Sequence, residues 1–276
     1  MNLEQLRREW VSASAQKGAL QAQIWDARAQ EYIEKPLPLP QKNPFLKYMA
    51  EKVQINKEMS ILDIGCGAGA YSLVLAKHAG QVVGTDVSSG MIAGAEDRAH
   101  RLGLSNVQFF CEDWGVADVE RLGWQDAFDV VFAHMTPAVC DFATLEKLLS
   151  CAKKHCFLVK PARRTDKVQD EAFAQAGVPL QRAQMDDMIQ NTFAFLWMMG
   201  ICPEVTYRDE IWQIRRTTED MTQWCAGRAR LVRGLSPKEE QRIASYLEAV
   251  SENGYVEETV TTKIVTMYWN MEEMMR

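Results

Sequence analysis

Apolar residues in the first half of the chain fall into short, nearly unbroken runs separated by amphipathic stretches. Met59, Ile61, Leu62 and Ile64 form one such run, and Gln81 to Asp86 (QVVGTD), Asn106 to Cys111, Phe128 to Ala133 (FDVVFA) and Cys156 to Val159 form others. Continuous apolar character over so few residues predicts strands covered on both faces, as in a parallel sheet. The stretches between them predict helices over Ala70–Ala79, Ser88–Leu102 and Thr144–Lys153, with Ser88 or Ser89 as an N-cap, and another helix runs from Pro44 to about Val53 ahead of the first strand. Strands alternating with helices place helices on both faces of the sheet, and ligands then bind outside the C-terminal strand ends.

The rhythm changes past Lys160. Helices are expected over Lys167–Ala176 and Gln184–Met199, strands over Glu204–Arg215 and Glu257–Trp269, and two further helices between those strands, over Thr218–Val232 and Pro237–Glu252. Ser236 caps the last of these, with Pro237 at its first position. The two late strands read as an antiparallel pair closing the sheet, and the helices between them as a cap. Before the core, residues 1–35 read as helical, ending at Pro36-Leu37-Pro38-Leu39-Pro40, where proline removes donors and disfavours helix. The expected organisation is an arm over residues 1–40, a core over 41–165, and a C-terminal part with the inserted cap over 166–276. Trp25 and Tyr32 either pack the arm on the core or close it over a ligand.

Composition narrows the function. Of 276 residues, 47% are hydrophobic and 25% charged, ordinary for a globular protein, and the formal charge of −6 disfavours a broad nucleic-acid surface. No apolar run approaches a membrane span of ~20 residues, and the N-terminal sequence lacks a signal-peptide core, so a cytoplasmic location is expected. Seven widely spaced cysteines read as reduced thiols. Cys151, His155 and Cys156 lie close in sequence without a C-x-x-C pair, and no metal site is expected there.

The chemistry centres on MSILDIGCGAGAYS, residues 59–72. Gly65, Gly67 and Gly69 form a turn between a buried strand and a helix whose unpaired N–H groups face an anion. Gly65-x-Gly67-x-x-Ala70 with Asp86 about 20 residues on also fits the dinucleotide fingerprint, so two ligand classes compete. Asp63 before the first glycine, Thr85-Asp86 at the end of the second strand and Glu112-Asp113 at the end of the third separate them. This pattern resembles the class I S-adenosylmethionine-dependent methyltransferases, over residues 45 to about 160. The resemblance implies a Rossmann-like, doubly wound, mostly parallel seven-stranded sheet with S-adenosylmethionine as cofactor. An adenosyl sulfonium needs a carboxylate for its ribose diol, which Asp86 would supply. Its adenine needs an acceptor and apolar plates, from Glu112-Asp113 and from Val87, Met91 and Trp114. Its amino-acid tail would meet Gly65, Cys66, Gly67 and Gly69, with Asp63 ordering the pocket as the matching acid does in the family.

The acceptor side is less legible. Phe132-Ala133-His134-Met135-Thr136-Pro137 lacks the Asn/Asp-Pro-Pro pattern of relatives that methylate nucleobase or glutamine nitrogens. His134 lies where the methyl should point and is a candidate general base, or it shapes the pocket by hydrogen bonding. Lys160, Arg163 and Arg164 either grip an anionic substrate or form a solvated basic loop. Trp197, Met198, Met199, Trp212, Trp224 and Arg228 are candidate walls of a substrate pocket or core. The expectation is a methyltransferase acting on a small molecule. The alternatives are an RNA or protein methyltransferase, a protein that binds the cofactor without transfer, and a nicotinamide-dependent oxidoreductase. The N-terminal W-D-x-R-A-x-x-Y stretch and the late MYW are also similar to bacterial members of this superfamily.

Overall fold

The computed structural model describes residues 2–180 and 182–272; Met1 of the expected arm and the last four residues of the expected C-terminal part lie outside the described residues. Seven strands form one sheet: β1 (Ser60–Ile64), β2 (Gln81–Asp86), β3 (Val107–Cys111), β4 (Phe128–His134), β5 (Ala152–Thr165), β6 (Glu204–Thr217) and β7 (Tyr255–Asn270). Their order is β3-β2-β1-β4-β5-β7-β6. The first five strands pair in parallel, and the late strands supply the expected antiparallel closure. The helices are α1 (Leu3–Glu9), α2 (Gly18–Asp26), α3 (Ala29–Glu34), α4 (Pro44–Lys52), α5 (Ala70–Ala76), α6 (Ser89–Arg101), α7 (Phe142–Cys151), α8 (Lys167–Gln175), α9 (Arg182–Met198), α10 (Thr218–Val232) and α11 (Pro237–Val250).

The chain divides into two compact units, the first containing residues up to 160 with 190–206 and those from 266, the second containing 161–189 and 207–265. In the first unit the apolar runs are the buried centre of the sheet: Ile61, Leu62, Ile64, Val82, Val130, Val131, Phe132 and Ala133 are all inaccessible to water. Burying each such side chain contributes about 1.5–3 kcal/mol, so the runs that predicted the strands also hold them in place. Register follows from them, with Asp63 opposite Gly84 on one side and Phe132 on the other. The C-terminal ends of β1 to β4 therefore emerge at one edge of the sheet.

Local signals set the helix starts. Ser88 caps α6 by accepting from Met91 N. Asp141 and Thr144 form a reciprocal capping box on α7, and Ser236 and Glu239 another on α11, where Pro237 supplies a preset φ. In the second unit α8, α10 and α11 pack around Phe173, Met221, Cys225, Ile243 and Leu247.

Two neighbouring elements depart from expectation. The helix expected to reach Lys153 stops at Cys151, and β5 runs for 14 residues from Ala152 rather than only over Cys156–Val159. The apolar centre Cys156–Val159 is buried, whereas Lys153 and Lys154 face water and Pro161 lacks a donor. Polar flanks and a proline conceal a strand that pairing with β4 carries back to Ala152.

Candidate functional site

The turn after β1 is shaped by two close approaches. Gly65 has φ +70, and a Cβ on it would lie 2.0 Å from Thr136 Oγ1, so the loop after β4 packs directly on this backbone. Gly67 has φ +54, and a Cβ there would find only Met91 Sδ, at 3.9 Å, within van der Waals range. The space above Gly67 is open. It belongs to a cavity of about 400 Å³, within the usual range for small-ligand sites.

Acids from three strand ends gather here. Asp63 is buried and its Oδ2 accepts the Ser72 hydroxyl at 2.6 Å. Burial pushes its carboxyl up to about 7, against the pull of that hydrogen bond. Asp86 accepts from Gly67 N and from Ser88 N, both at 2.9 Å, one on each oxygen. Burial holds it above the usual carboxylate range, although both backbone donors act the other way. Asp113 closes a turn by accepting from Gly115 N at 3.0 Å.

Asp63, Asp86, Glu112 and Asp113 all line the cavity, while Lys35 is the sole lysine and no arginine joins them among the described residues. An acidic lining favours a cationic ligand over a pyrophosphate, which needs basic or N–H partners. The open cradle at Gly67 and this donor set fit an adenosyl sulfonium.

The arm forms the opposite wall: Ala15, Gly18, Gln21, Trp25, Tyr32, Lys35, Pro36 and Pro38 line the same cavity. It is fastened at two places. Asp26 Oδ1 accepts from Ser88 Oγ at 2.6 Å and Gly90 N at 2.9 Å, adding a second cap to α6. Arg98 donates to the Ala68 carbonyl at 2.9 Å and the Lys35 carbonyl at 3.0 Å, joining the glycine turn to the end of the arm. A Cβ on Gly18 would fall 1.8 Å from Asp113 Oδ2, so the arm passes directly against this carboxylate. Trp25 and Tyr32 meet edge to face, with centroids 6.0 Å apart, and pack on Ala29, Ala68 and Met91. They pack the arm on the core and border the cavity.

The expected residues Asp63, Gly65, Cys66, Gly67, Asp86, Val87, Met91, Glu112, Asp113, Trp114 and His134 all border this cavity. Gly69 does not; it starts α5 at φ +72 against the Phe109 ring. Trp114 has its indole committed to the core, 2% exposed with Nε1 donating to the Thr144 carbonyl at 3.0 Å, which limits it as a plate for a ligand. Lys160 corrects the expected basic cluster. It is buried and donates to the Thr136 carbonyl and, at 2.5 Å, to the Val139 carbonyl, so it braces the loop after β4 rather than reaching a substrate. Burial brings its ammonium down to about 8. Arg163 pairs with Asp186 at 2.9 Å and Arg164 with Asp166 at 2.6 Å. Trp197 and Met199 are exposed, and Trp224 lies against the core of the second unit with Arg216 and Arg228 over its ring.

Sequence reading missed Tyr71, Asn43, Asp26 and Thr136. Tyr71 sits one turn into the helix after the glycines, where its ring reaches His134, centroids 4.4 Å apart. The W-D-x-R-A stretch holds Asp26, but an acid in a polar helix gives no sign that it caps a helix 60-odd residues away.

A family model described as a methyltransferase domain matches residues 55–197. Among curated proteins, the 23S rRNA (uracil(1939)-C(5))-methyltransferase RlmD of Aeromonas hydrophila is 27% identical over 164 residues, covering 59% of this chain and 36% of that protein. An uncharacterized protein of Haemophilus influenzae is 29% identical over 143 residues, 51% of this chain and 50% of that one. The matches span half or less of the length of these curated relatives. A solved Bacillus halodurans protein shares the fold, with a TM-score of 0.50 at 14% identity over 81% of this chain and 97% of its own. With the strand order, the glycine turn and the acids at the strand ends, the chain belongs to the methyltransferase-domain family, in the class I group whose methyl donor is S-adenosylmethionine.

Proposed function

We propose that this protein methylates a small-molecule acceptor inside the cavity between the glycine turn and the arm. The observation that carries this reading is the arm itself: Trp25, Tyr32, Pro36 and Pro38 wall the same cavity as Gly67, Asp86 and His134. About 400 Å³ lies within the range of small-ligand sites. S-adenosylmethionine, when bound, supplies an activated methyl group on a sulfonium. The chain's own residues hold and orient. Asp86 accepts the ribose hydroxyls, Asp113 with Glu112 receives the adenine amine beside Val87 and Met91, and the backbone of Gly65 to Gly67 takes the amino-acid tail with Asp63 beneath it. Trp25 and Tyr32 exclude water, which matters because transfer from a sulfonium depends chiefly on in-line positioning and desolvation. His134 is the general base of this reading. This reading places the protein in the cytoplasm, which suits seven free cysteines.

Calorimetry with S-adenosylmethionine, S-adenosylhomocysteine and NAD tests the cofactor. Binding of the first two and not the third is expected; the reverse would sink the reading. Asp86→Ala is expected to weaken binding of S-adenosylmethionine by more than ~1 kcal/mol, about fivefold, through lost charge-assisted bonds. Asp86→Asn keeps one acceptor oxygen and sets an amide NH2 against the other of the Gly67 and Ser88 N–H groups, so thermal melts of both variants separate lost binding from local unfolding. Unchanged affinity in both variants removes Asp86 from the site.

A second reading, an RNA acceptor, is favoured by the names of the curated relatives. A metabolite extract and total RNA, each incubated with the protein and labelled methyl donor, decide between them. Label in the small-molecule fraction is expected, and label confined to RNA would replace the first reading by the second.

A further inference from the structure

Trp224 and Arg228 stand four residues apart on α10 and so share one face of that helix. Cys225 and Ala229, the next residue along in each case, are buried in the core of the second unit, which puts this face at the rim of the buried stripe. In the same unit, Arg164 at the end of β5 lies over the Trp212 ring of β6, 5.1 Å from guanidinium carbon to ring centroid. Arg216 and Arg228 lie over the Trp224 ring at 5.4 and 5.6 Å. Three guanidiniums thus rest on two indoles.

Two of the three have carboxylate partners. Asp166 accepts from Arg164 Nε on one oxygen and from Arg164 Nη2 on the other, both at 2.6 Å, so a single planar fork occupies both oxygens. Arg216 donates to Asp220 at 2.9 Å. Glu258, within electrostatic reach of Asp166 and Arg164, accepts from Val168 N at 2.8 Å at the start of α8. Arg228 also feels the charges of Arg164 and Asp166. Among the described residues, however, it has neither a hydrogen-bond acceptor nor a carboxylate in contact. The Trp224 face attracts its charge but takes none of its five N–H groups in a conventional hydrogen bond. Burial, and after it the Arg164 charge, hold this guanidinium below the ordinary arginine range, with Asp166 pulling the other way. A desolvated charge whose hydrogen bonds are unmade is costly, and an oxyanion from solution removes both costs.

We propose that Arg228 anchors a second ligand site, within the second unit, that takes the carboxylate of a small monoanionic molecule. A carboxylate presents two oxygens to a guanidinium fork, as Asp166 does to Arg164. One negative charge is what the cluster lacks. Arg164 and Arg216 are already matched by Asp166 and Asp220, and a phosphate dianion would bring a second charge close to Asp166 with no further cation to meet it. Trp224 holds the guanidinium from one side, so that the fork is set before the ligand arrives. None of these residues lines the cavity around the glycine turn.

Thermal melts of the full-length protein at pH 8, without S-adenosylmethionine, test the site independently of the cofactor. Acetate and benzoate are the carboxylate probes, inorganic phosphate is the dianion, and chloride holds the ionic strength constant. Arg228→Met removes the charge and keeps an apolar stem over Trp224. Both carboxylates are expected to raise the wild-type Tm progressively with concentration, and to leave Arg228→Met where chloride leaves it. Without ligand the variant is expected to melt no lower than wild type, because it has shed a half-buried charge that had no partner. Calorimetry with benzoate gives the affinity, which Arg228→Met is expected to weaken at least ~10-fold. Arg228→Lys, which keeps the charge and the stem but not the fork, is expected to weaken it by less. It decides the case if Arg228→Met folds poorly, since wild-type affinity in Arg228→Lys overturns the fork. An equal benzoate response in wild type and Arg228→Met, or no response to either carboxylate, overturns the site. A response to phosphate alone overturns its assignment to carboxylates.

Discussion

Gly67→Leu is expected to reduce affinity for S-adenosylmethionine at least ~100-fold, about 2.7 kcal/mol, while the protein still folds. The position combines an open cavity with a tolerable backbone. A Cβ there meets nothing nearer than Met91 Sδ at 3.9 Å, so the leucine side chain enters the space that the ligand needs rather than the core. The backbone at φ +54 costs a non-glycine residue about 1–2 kcal/mol, which lowers Tm by a few degrees in a chain of this size. The Gly67 N–H still reaches Asp86. Gly65→Ala provides the contrast. Its Cβ would lie 2.0 Å from Thr136 Oγ1, at φ +70, so the loop after β4 must shift and stability falls along with binding. Calorimetry and thermal melts on the two variants separate a blocked site from a damaged fold. Wild-type affinity in Gly67→Leu would remove the glycine turn from the cofactor site.

How the sequence exposed this much, and no more, follows from the range over which each residue acts. Strands β1, β2 and β4 were legible because each is a run of residues buried on both faces, and burial on both faces leaves an unbroken apolar signature. The acids Asp63, Asp86 and Asp113 were legible because strand ends fix them relative to those runs. β5 was understated because exposed Lys153, Lys154 and Arg163 interrupt its apolar run, and its polar ends become strand only through partners distant in the chain. Lys160 misled for a related reason: charge suggests water, whereas this ammonium is buried on two backbone carbonyls of the loop after β4. Asp26 holds the arm to the start of α6 and Arg98 joins its end to the glycine turn, by contacts across about 30 to 64 residues of chain, and nothing local marks them. Tyr71 is a middle case, since its place one turn after the glycines was visible but its phenol's two neighbours were not.

Asp63 should make both stability and ligand binding depend on pH. Its carboxyl titrates near 7 in the folded protein, because burial opposes the charge, against about 3.8 when exposed. Between those values the folded chain holds a proton that the unfolded chain has released, so stability falls as pH rises from about 4 to 7 and levels off above. About three pK units bound the effect at ~4 kcal/mol. Asp63→Asn keeps an oxygen for the Ser72 hydroxyl and has nothing to ionise. The Tm of this variant relative to wild type is therefore expected to rise by several degrees between pH 4.5 and pH 8, measured by melts in matched buffers. A cationic ligand above the glycine turn reverses the preference, since its charge favours the carboxylate. Binding of S-adenosylmethionine at pH 7 should then expel up to about half a proton per site, seen as a dependence of the calorimetric heat on buffer ionisation enthalpy. In Asp63→Asn that dependence should vanish. If wild type and variant show the same heats in every buffer, Asp63 is not coupled to the ligand's charge, and its carboxyl serves only to anchor Ser72 at the start of α5.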